Sequence, residues 1–489
     1  MQRLDDTVSL QAPEALDPDT ARHRPPPLRG AEPLRTHVTE TISLAGPLAM
    51  GHLSHLAMST ATLVMFGWIG SDVLAAGGLA IRVAVSTNIL AGILLVVGVA
   101  VSEARGAGAS GGVASLYWNG LYLTLALSLL SFGWMTVAPG LLLALGQPPE
   151  IVAETERCLD VMRWAEAANI LRLGLMRSIL PVLGMAWILY ALTPIGLALY
   201  TALGLSLVNG WAGLPEMGWI GVPIALVITN ALTAVAMLSA VHLGPARRQV
   251  PFTGFDPAPL RTTLKAGFPI GVMQGVDGIY YLVITLVIGQ FGAPALAAHQ
   301  IALNFGGVAY ALAASCGDAA ALRIAFRRGA RAYGEARTAG LVGIVLGVTS
   351  MGSVGVLLYV MPDPFIGVFM DLSDPANAET LAITRSLLLL SALFIIADGF
   401  YGTGMGVLRG HNDNRYAMKI VVCTYWGLGL PLGFLLSMGL GLEVVGIWCG
   451  LVAGPVTVGA FLMMRYNRLS LANLPSGAAT EPRRLAEVG

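Results

Sequence analysis

The sequence predicts an all-α polytopic membrane protein, in which twelve transmembrane helices form two pseudo-twofold-related six-helix bundles around a central cleft. Its composition, its long apolar stretches and an internal repeat lead to this fold class. Of the 489 residues, 55% are hydrophobic and only 11% are charged, whereas soluble domains carry about 25% charged residues. The net charge of zero argues against a nucleic-acid-binding protein, which carries a basic excess. The four scattered cysteines exclude a disulfide scaffold or zinc module.

Apolar stretches of about 20 residues, each long enough to cross a ~30 Å hydrocarbon core as a helix, recur after residue 38. We place twelve of them, at residues 40–67, 73–102, 112–146, 158–182, 185–208, 218–243, 266–290, 296–322, 338–361, 382–408, 416–437 and 442–464. The first 36 residues hold six prolines and mixed charge, which is typical of disorder. The predicted domains are a disordered cytoplasmic tail (1–38), an N-terminal lobe (39–243), a cytoplasmic linker (244–265), a C-terminal lobe (266–468) and a cytoplasmic tail (469–489).

The distribution of basic residues predicts the orientation. Linkers 244–265, 323–337 and 409–419 together carry twelve Lys and Arg residues, whereas the alternate linkers carry only Arg157 and many acids. Loops that face the cytoplasm collect Lys and Arg. The alternation therefore predicts twelve helices with both termini in the cytoplasm.

The chain repeats itself at an offset of 222 residues. Pro47 matches Pro269, the stretch that begins at Leu74 matches the stretch that begins at Leu296, and after one residue of slippage Arg105 matches Arg328. Two parallel repeats that face each other are typical of alternating-access transporters. Proline removes a helical hydrogen bond, so Pro47 and Pro269 are either hinges or packing kinks.

Two carboxylates lie inside predicted membrane segments. Asp277 is in the seventh segment and Asp398 in the tenth, and neither has a basic residue within one turn of its own helix. An ionisable group at the bilayer centre costs about 2.5–3.5 kcal/mol, so such groups point to function. Each acid could bind a proton or a hard cation such as sodium. The alternative is a carboxyl satisfied by hydroxyls or backbone in helix packing.

Other polar side chains in the segments could line the cleft. Tyr280, Tyr281 and Tyr401 lie within a turn of the two acids and would either contact aromatic or cationic substrates or pack in the core. His55 lies 222 residues before Asp277 and would either relay protons or pack. Charged residues of the fourth segment would pair at i,i+3 spacing or contact substrate, namely Asp160, Arg163 and Glu166.

Three motifs in the second half have the pattern of a known transporter family. They are residues 297–304 (AAHQIALN), 406–413 (GVLRGHND) and 425–433 (YWGLGLPLG). With the twelve segments and the two acids, they resemble the multidrug and toxic compound extrusion (MATE) family, in particular its NorM-like exporters. The resemblance extends from about Thr39 to Arg468.

This resemblance implies a secondary active antiporter that exports organic, often cationic or amphiphilic, compounds in exchange for sodium ions or protons. It places the coupling cation at Asp277, where Glu is more usual, and at Asp398. Thr62 stands where many relatives carry an Asp, so a proton site built on that Asp is not expected here. The possible substrate or cation contacts are Gln274, Tyr280, Tyr281, Asn304, Tyr401, His55 and Thr62.

We therefore expect a monomeric, multi-pass protein of the plasma (inner) membrane that is not an enzyme and needs no cofactor besides its coupling ion. Its partners would be small organic molecules and the lipid bilayer, with no nucleic acid. One alternative is a lipid-linked precursor flippase of the same superfamily, for which several arginines could form a cationic cleft (Arg82, Arg163, Arg172 and Arg177). A less favoured alternative is a membrane-embedded transferase.

Overall fold

Within residues 32–474, twelve long helical segments joined by loops form the fold. The computed structural model describes residues 32–474, apart from the side chains at positions 71, 72, 305, 308 and 376. The helices are α1 (Leu34–Ile69), α2 (Ser71–Ser86 and Asn88–Gly106), α3 (Ser110–Ala144), α4 (from Pro149–Met162 to Arg177–Val182), α5 (Trp187–Asn209), α6 (Gly218–Leu243), α7 (Pro257–Gly289), α8 (Ala293–Gly329), α9 (Tyr333–Val360), α10 (Ala378–Gly410), α11 (Asn414–Gly439) and α12 (Glu443–Ala472). Ten of them are long and apolar enough to cross a membrane. Residues 32–474 contain no strand, and the predicted all-α class is confirmed.

The helices extend beyond the predicted apolar segments. α1 begins at Leu34, α4 at Pro149 and α7 at Pro257, all earlier than the hydropathy pattern places them. Hydropathy marks only the part of a helix that lies in hydrocarbon, and a helix continues past it wherever polar turns are capped. Asp256 caps α7 in this way, since its side chain accepts a hydrogen bond from the Ala258 amide at 2.9 Å. Residues 1–31 and 475–489 of the predicted tails lie outside the described residues, and the predicted domain boundaries remain predictions.

Successive helices run in opposite directions, so the loops collect at two ends of the bundle. We call the end with loops 107–109, 244–256, 330–332 and 411–413 the basic end. The opposite, acidic end has loops 145–148, 210–217, 290–292 and 361–377. We call α1–α6 the first half and α7–α12 the second half.

Irregular turns interrupt three of the helices. α2 breaks at Thr87, α4 contains the 3₁₀ turn Arg163–Ala165 and the π-helical turn Leu171–Met176, and α11 contains two further π-helical turns. Pro47 and Pro269, the predicted hinges, lie inside stretches that continue as α-helix on both sides. Their hinge role therefore remains a prediction.

A reciprocal contact between α2 and α8 shows the symmetry of the two halves. A Cβ added to Gly106 would lie 1.9 Å from the carbonyl oxygen of Phe326, and one added to Gly329 would lie 2.0 Å from that of Glu103. The predicted repeat, after its one-residue slippage, relates Gly106 to Gly329 and Glu103 to Phe326. The two contacts are therefore equivalent, and the pseudo-twofold axis passes between them.

Contacts between the halves are confined to one part of the bundle. Most of each buried hydrophobic cluster lies within one half. Among the described side chains, every hydrogen bond or ion pair that joins the halves lies between the basic end and the middle of the bundle, for example Arg323–Glu40 at 2.7 Å and Ser102 to the Leu322 carbonyl at 2.7 Å. The described polar contacts that hold the two halves together therefore lie toward the basic end.

Candidate functional site

The two predicted acids lie together in the second half. The Tyr401 hydroxyl on α10 donates to Oδ2 of Asp277 on α7, while Oδ1 of Asp277 is enclosed and has no hydrogen-bond partner among the described groups. Asp398 lies one turn before Tyr401, is only 6% exposed, and is near enough to Asp277 for their charges to interact. Neither acid forms an ion pair with a Lys, Arg or His in residues 32–474. The site is a pair of carboxylates without a counter-ion.

Tyrosines form the wall behind these acids. Tyr280 stacks on Tyr425 of α11 with ring centroids 4.7 Å apart, and Tyr281 and Tyr401 contact the same pair edge-on or tilted. Tyr280 has no exposed surface, and Gly454 makes room for Tyr425, since a Cβ at position 454 would lie 3.0 Å from that ring. Tyr280 therefore packs in the core, whereas Tyr281 is half-buried.

The sequence reasoning missed two members of this wall, Tyr310 and Tyr425, which both lie in electrostatic range of the two acids. Tyr425 begins the third motif, which could have suggested it. Tyr310 lies on α8 outside the quoted motifs, and no signal in the sequence pointed to it.

The other predicted cleft residues are spread over both halves. Gln274 packs on α2, where a Cβ on Gly92 would lie 2.4 Å from its Oε1. Asn304 is exposed and donates to the carbonyl of Gln300 in its own helix at 2.9 Å. Thr62 is buried and bonds the hydroxyl of Tyr200 at 2.6 Å. The structure therefore does not bring these three residues to the acid pair by any hydrogen bond within the described chain.

A buried acid of the first half is satisfied by hydroxyls. Glu166 on α4 is 3% exposed and accepts hydrogen bonds from Thr87 at 2.6 Å and Ser131 at 2.8 Å. The expected pair of Arg163 with Asp160 forms at 3.1 Å, but Glu166 is not part of it. The partners of Glu166 come from α2 and α3, so spacing along α4 could not reveal them.

A cluster of charged residues joins the two halves. Asp318 on α8 accepts from Arg177 of α4 at 2.8 Å and from Arg409 of α10 at 2.5 Å, and His52 of α1 lies 3.5 Å away. The three charged side chains are only 11–12% exposed. We call these four residues the floor cluster, because Asp318 ties the two halves together on the basic side of the cleft.

Comparison with known proteins identifies the family. Residues 47–197 and 269–435, more than half of the chain, match the MatE family model. The two matches begin at Pro47 and Pro269, the pair that the internal repeat relates. The chain belongs to the MatE family.

Curated relatives in the MatE family match along nearly the whole chain. The probable multidrug resistance protein NorM of Burkholderia pseudomallei is 37% identical over 450 residues, covering 92% of this chain and 95% of the relative. The multidrug resistance protein NorM of Burkholderia vietnamiensis is 36% identical over 443 residues, covering 89% and 94%. The predicted family is thus confirmed, and the chain is a multi-pass membrane transporter rather than an enzyme.

Solved structures of MATE transporters share the fold. The transporter VcmN of Vibrio cholerae, in its bent form, aligns with a TM-score of 0.80 at 17% identity over 90% of this chain and 98% of that chain. A multidrug resistance MATE transporter of the MOP superfamily, in an outward-facing conformation, gives a TM-score of 0.80 at 17% identity over 90% and 97%. The family does not favour the flippase or transferase alternative.

Proposed function

We propose that this chain is a secondary active antiporter that exports organic, cationic or amphiphilic compounds in exchange for sodium ions or protons by alternating access. Its NorM relatives are named for multidrug resistance, which supports a broad range of organic substrates. The observation that carries the coupling proposal is the pair Asp277 and Asp398, enclosed within the helical bundle and without a counter-ion in the described chain.

The free acceptor of Asp277 explains how a cation would bind. An enclosed carboxylate oxygen without a partner is costly, and a bound proton or a cation removes that cost. The carboxylates and the neighbouring tyrosyl hydroxyl offer only oxygen atoms, which suits a hard cation such as sodium. A proton serves equally well, because the protonated carboxyl becomes a donor. Occupancy of this pair therefore changes the stability of the second half around α7 and α10.

Alternating access requires that the cation and the substrate favour different states. We infer that the basic end faces the cytoplasm of a cell with an inner membrane, with both termini on that side, because Lys and Arg collect in cytoplasmic loops. The polar contacts that join the halves would then lie on the cytoplasmic side, as expected of an outward-open state. Export requires the contacts at the basic end, including the floor cluster, to separate when the protein opens inward.

The membrane potential supplies part of the driving force. Each positive charge that moves inward releases about 2.3 kcal/mol per 100 mV. Because about 1.4 kcal/mol corresponds to a factor of ten, one net inward charge at 100 mV can sustain a gradient of about 50-fold for a neutral or zwitterionic substrate. A monovalent cationic substrate carries one charge outward and needs a second inward charge for the same gradient.

Export from proteoliposomes tests this function. A fluorescent organic cation is loaded into vesicles that contain the purified protein, and an inward sodium gradient or an inward proton gradient is then imposed. We expect efflux to accelerate with one of the two gradients and not in protein-free vesicles. Efflux that ignores both gradients would contradict antiport.

A further inference from the structure

Arg172, in the predicted fourth membrane segment, carries a guanidinium without a counter-ion in the described chain. It lies on α4 ten residues before Val182, about 15 Å along the helix from the basic end. In the described chain it forms no hydrogen bond or ion pair, and its Nε is enclosed without a partner. The two terminal nitrogens are not enclosed in this way, so they keep some accessible surface. An arginine inside the membrane is costly and usually pairs or lines a cavity.

The π-helical turn Leu171–Met176 decides which way Arg172 faces. In a regular α-helix, residues five apart point about 140° away from each other. A π-helical turn bonds residues i and i+5, so it brings Arg172 and Arg177 to the same face of α4. Arg177 contacts Asp318 of the second half at 2.8 Å. Arg172 therefore lies on the same face of α4 as Arg177, one turn farther from the basic end.

The two arginines belong to two layers with different neighbours. Arg177 lies beside His52 in the floor cluster, where Asp318 supplies the negative charge. One helical turn farther from the basic end, His55 follows His52 along α1 and is close enough to Arg172 for their charges to interact.

Asn88 completes the upper layer. Its Nδ2 lies 3.2 Å from the His55 imidazole, and its Oδ1 is enclosed without a partner. The nearby acid Glu166 is engaged by the hydroxyls of Thr87 and Ser131. Within the described residues, the upper layer thus repeats the His and Arg of α1 and α4 but has no counterpart of Asp318 or Arg409.

We propose that Arg172 binds a carboxylate of the substrate, with Asn88 and His55 as polar neighbours. The proposal rests on the proposed export function and specifies its substrate class as amphiphilic carboxylates, including zwitterions whose cationic part lies toward the second half. The planar guanidinium matches a carboxylate through two parallel hydrogen bonds. A pyrophosphate would need several free arginines close together, but Arg177 is paired with Asp318 and Arg163 with Asp160. Arg82 is exposed on α2 and is not part of the layer described above. Arg172 is therefore the one unpaired guanidinium of this layer in the described chain, and one guanidinium fits one carboxylate.

Two dyes that differ by one methyl group test this site. The probes are a xanthene dye with a free carboxylate and its methyl ester, which share the same cationic ring system. Their binding to the purified full-length protein is measured by fluorescence polarisation, for the natural protein and for Arg172→Gln, Arg172→Lys and the control Arg163→Gln. Arg172→Gln should weaken binding of the acid by about 10- to 100-fold and leave the ester within about twofold. Arg172→Lys should be intermediate, because it keeps the charge but loses the planar fork.

Equal weakening of acid and ester by Arg172→Gln would overturn the proposal, and so would unchanged binding of the acid. Unchanged binding of the ester shows that the variant is folded. Export of both dyes is measured in parallel. If the natural protein exports neither dye under any gradient, the proposed function fails, while the binding comparison still decides whether Arg172 recognises a carboxylate.

Discussion

Replacement of Asp318 by Asn should open the basic end. Its carboxylate accepts from Arg177 and Arg409 of opposite halves at 2.8 and 2.5 Å, and these side chains are only 11–12% exposed. Removing one partner of a buried ion pair costs about 3–5 kcal/mol, because the remaining charge is left uncompensated. In the state that is open at the basic end, water would solvate both arginines and remove most of that cost. The equilibrium should therefore shift toward the open state by between about a hundredfold and a few thousandfold.

Distances between spin labels at the basic end measure this shift. Labels on cysteines at Ser110 and Gly334, both exposed and in opposite halves, should report mainly the shorter distance in the natural protein and a longer one in Asp318→Asn. The native cysteines are replaced first. Asp363→Asn is the matched control, because Asp363 pairs with Arg385 within the second half and both are more than half exposed. A distance distribution of Asp318→Asn identical to that of the parent, in folded protein, would refute the role of the floor cluster.

Two further substitutions test packing. Glu166→Ala leaves the hydroxyls of Thr87 and Ser131 without their acceptor, which costs about 1–3 kcal/mol for each unsatisfied group. The melting temperature in detergent should therefore fall more for Glu166→Ala than for the control Glu150→Ala at the start of α4. An unchanged melting temperature would contradict these hydrogen bonds. Gly106→Ala places a Cβ 1.9 Å from the Phe326 carbonyl oxygen and should separate α2 from α8. In the control Gly111→Ala, the added Cβ meets no atom within 4 Å. Equal distances between the spin labels at positions 110 and 334 in both variants would contradict the close contact.

Much of the fold follows from the sequence, because hydrocarbon requires long apolar helices and backbone groups satisfied within each helix. The repeat also predicted the symmetry, since Gly106 and Gly329 are equivalent in both. The helix ends were harder to predict, because polar turns beyond the hydrocarbon are not recognisable as helix from hydropathy. The π-helical turn Leu171–Met176 contains Gly174 but no Pro and no Gly–Ser pair, so the sequence does not specify it, yet it decides the face of α4 on which Arg172 lies.

Those residues of the candidate site that can be recognised by their own type and position were predictable from the sequence. Asp277 and Asp398 stand out because charge is rare in membrane segments, and the structure brings them together beside Tyr401. The floor cluster was not predictable, because Arg177 and Arg409 lie 141 and 91 residues from Asp318. Exposure of a tyrosine is likewise a tertiary property: Tyr280 and Tyr281 are adjacent in sequence, but only Tyr281 is partly accessible.

The coupling role of the acid pair is tested most directly by comparing two modes of transport in one variant. Substrate counterflow needs no ion gradient, whereas uphill export does. Asp398→Asn should keep counterflow but lose gradient-driven export, and the control Asp160→Asn, whose side chain is 52% exposed beside Arg163, should keep both. Full gradient-driven export by Asp398→Asn in proteoliposomes would contradict the assignment of this pair as the coupling site.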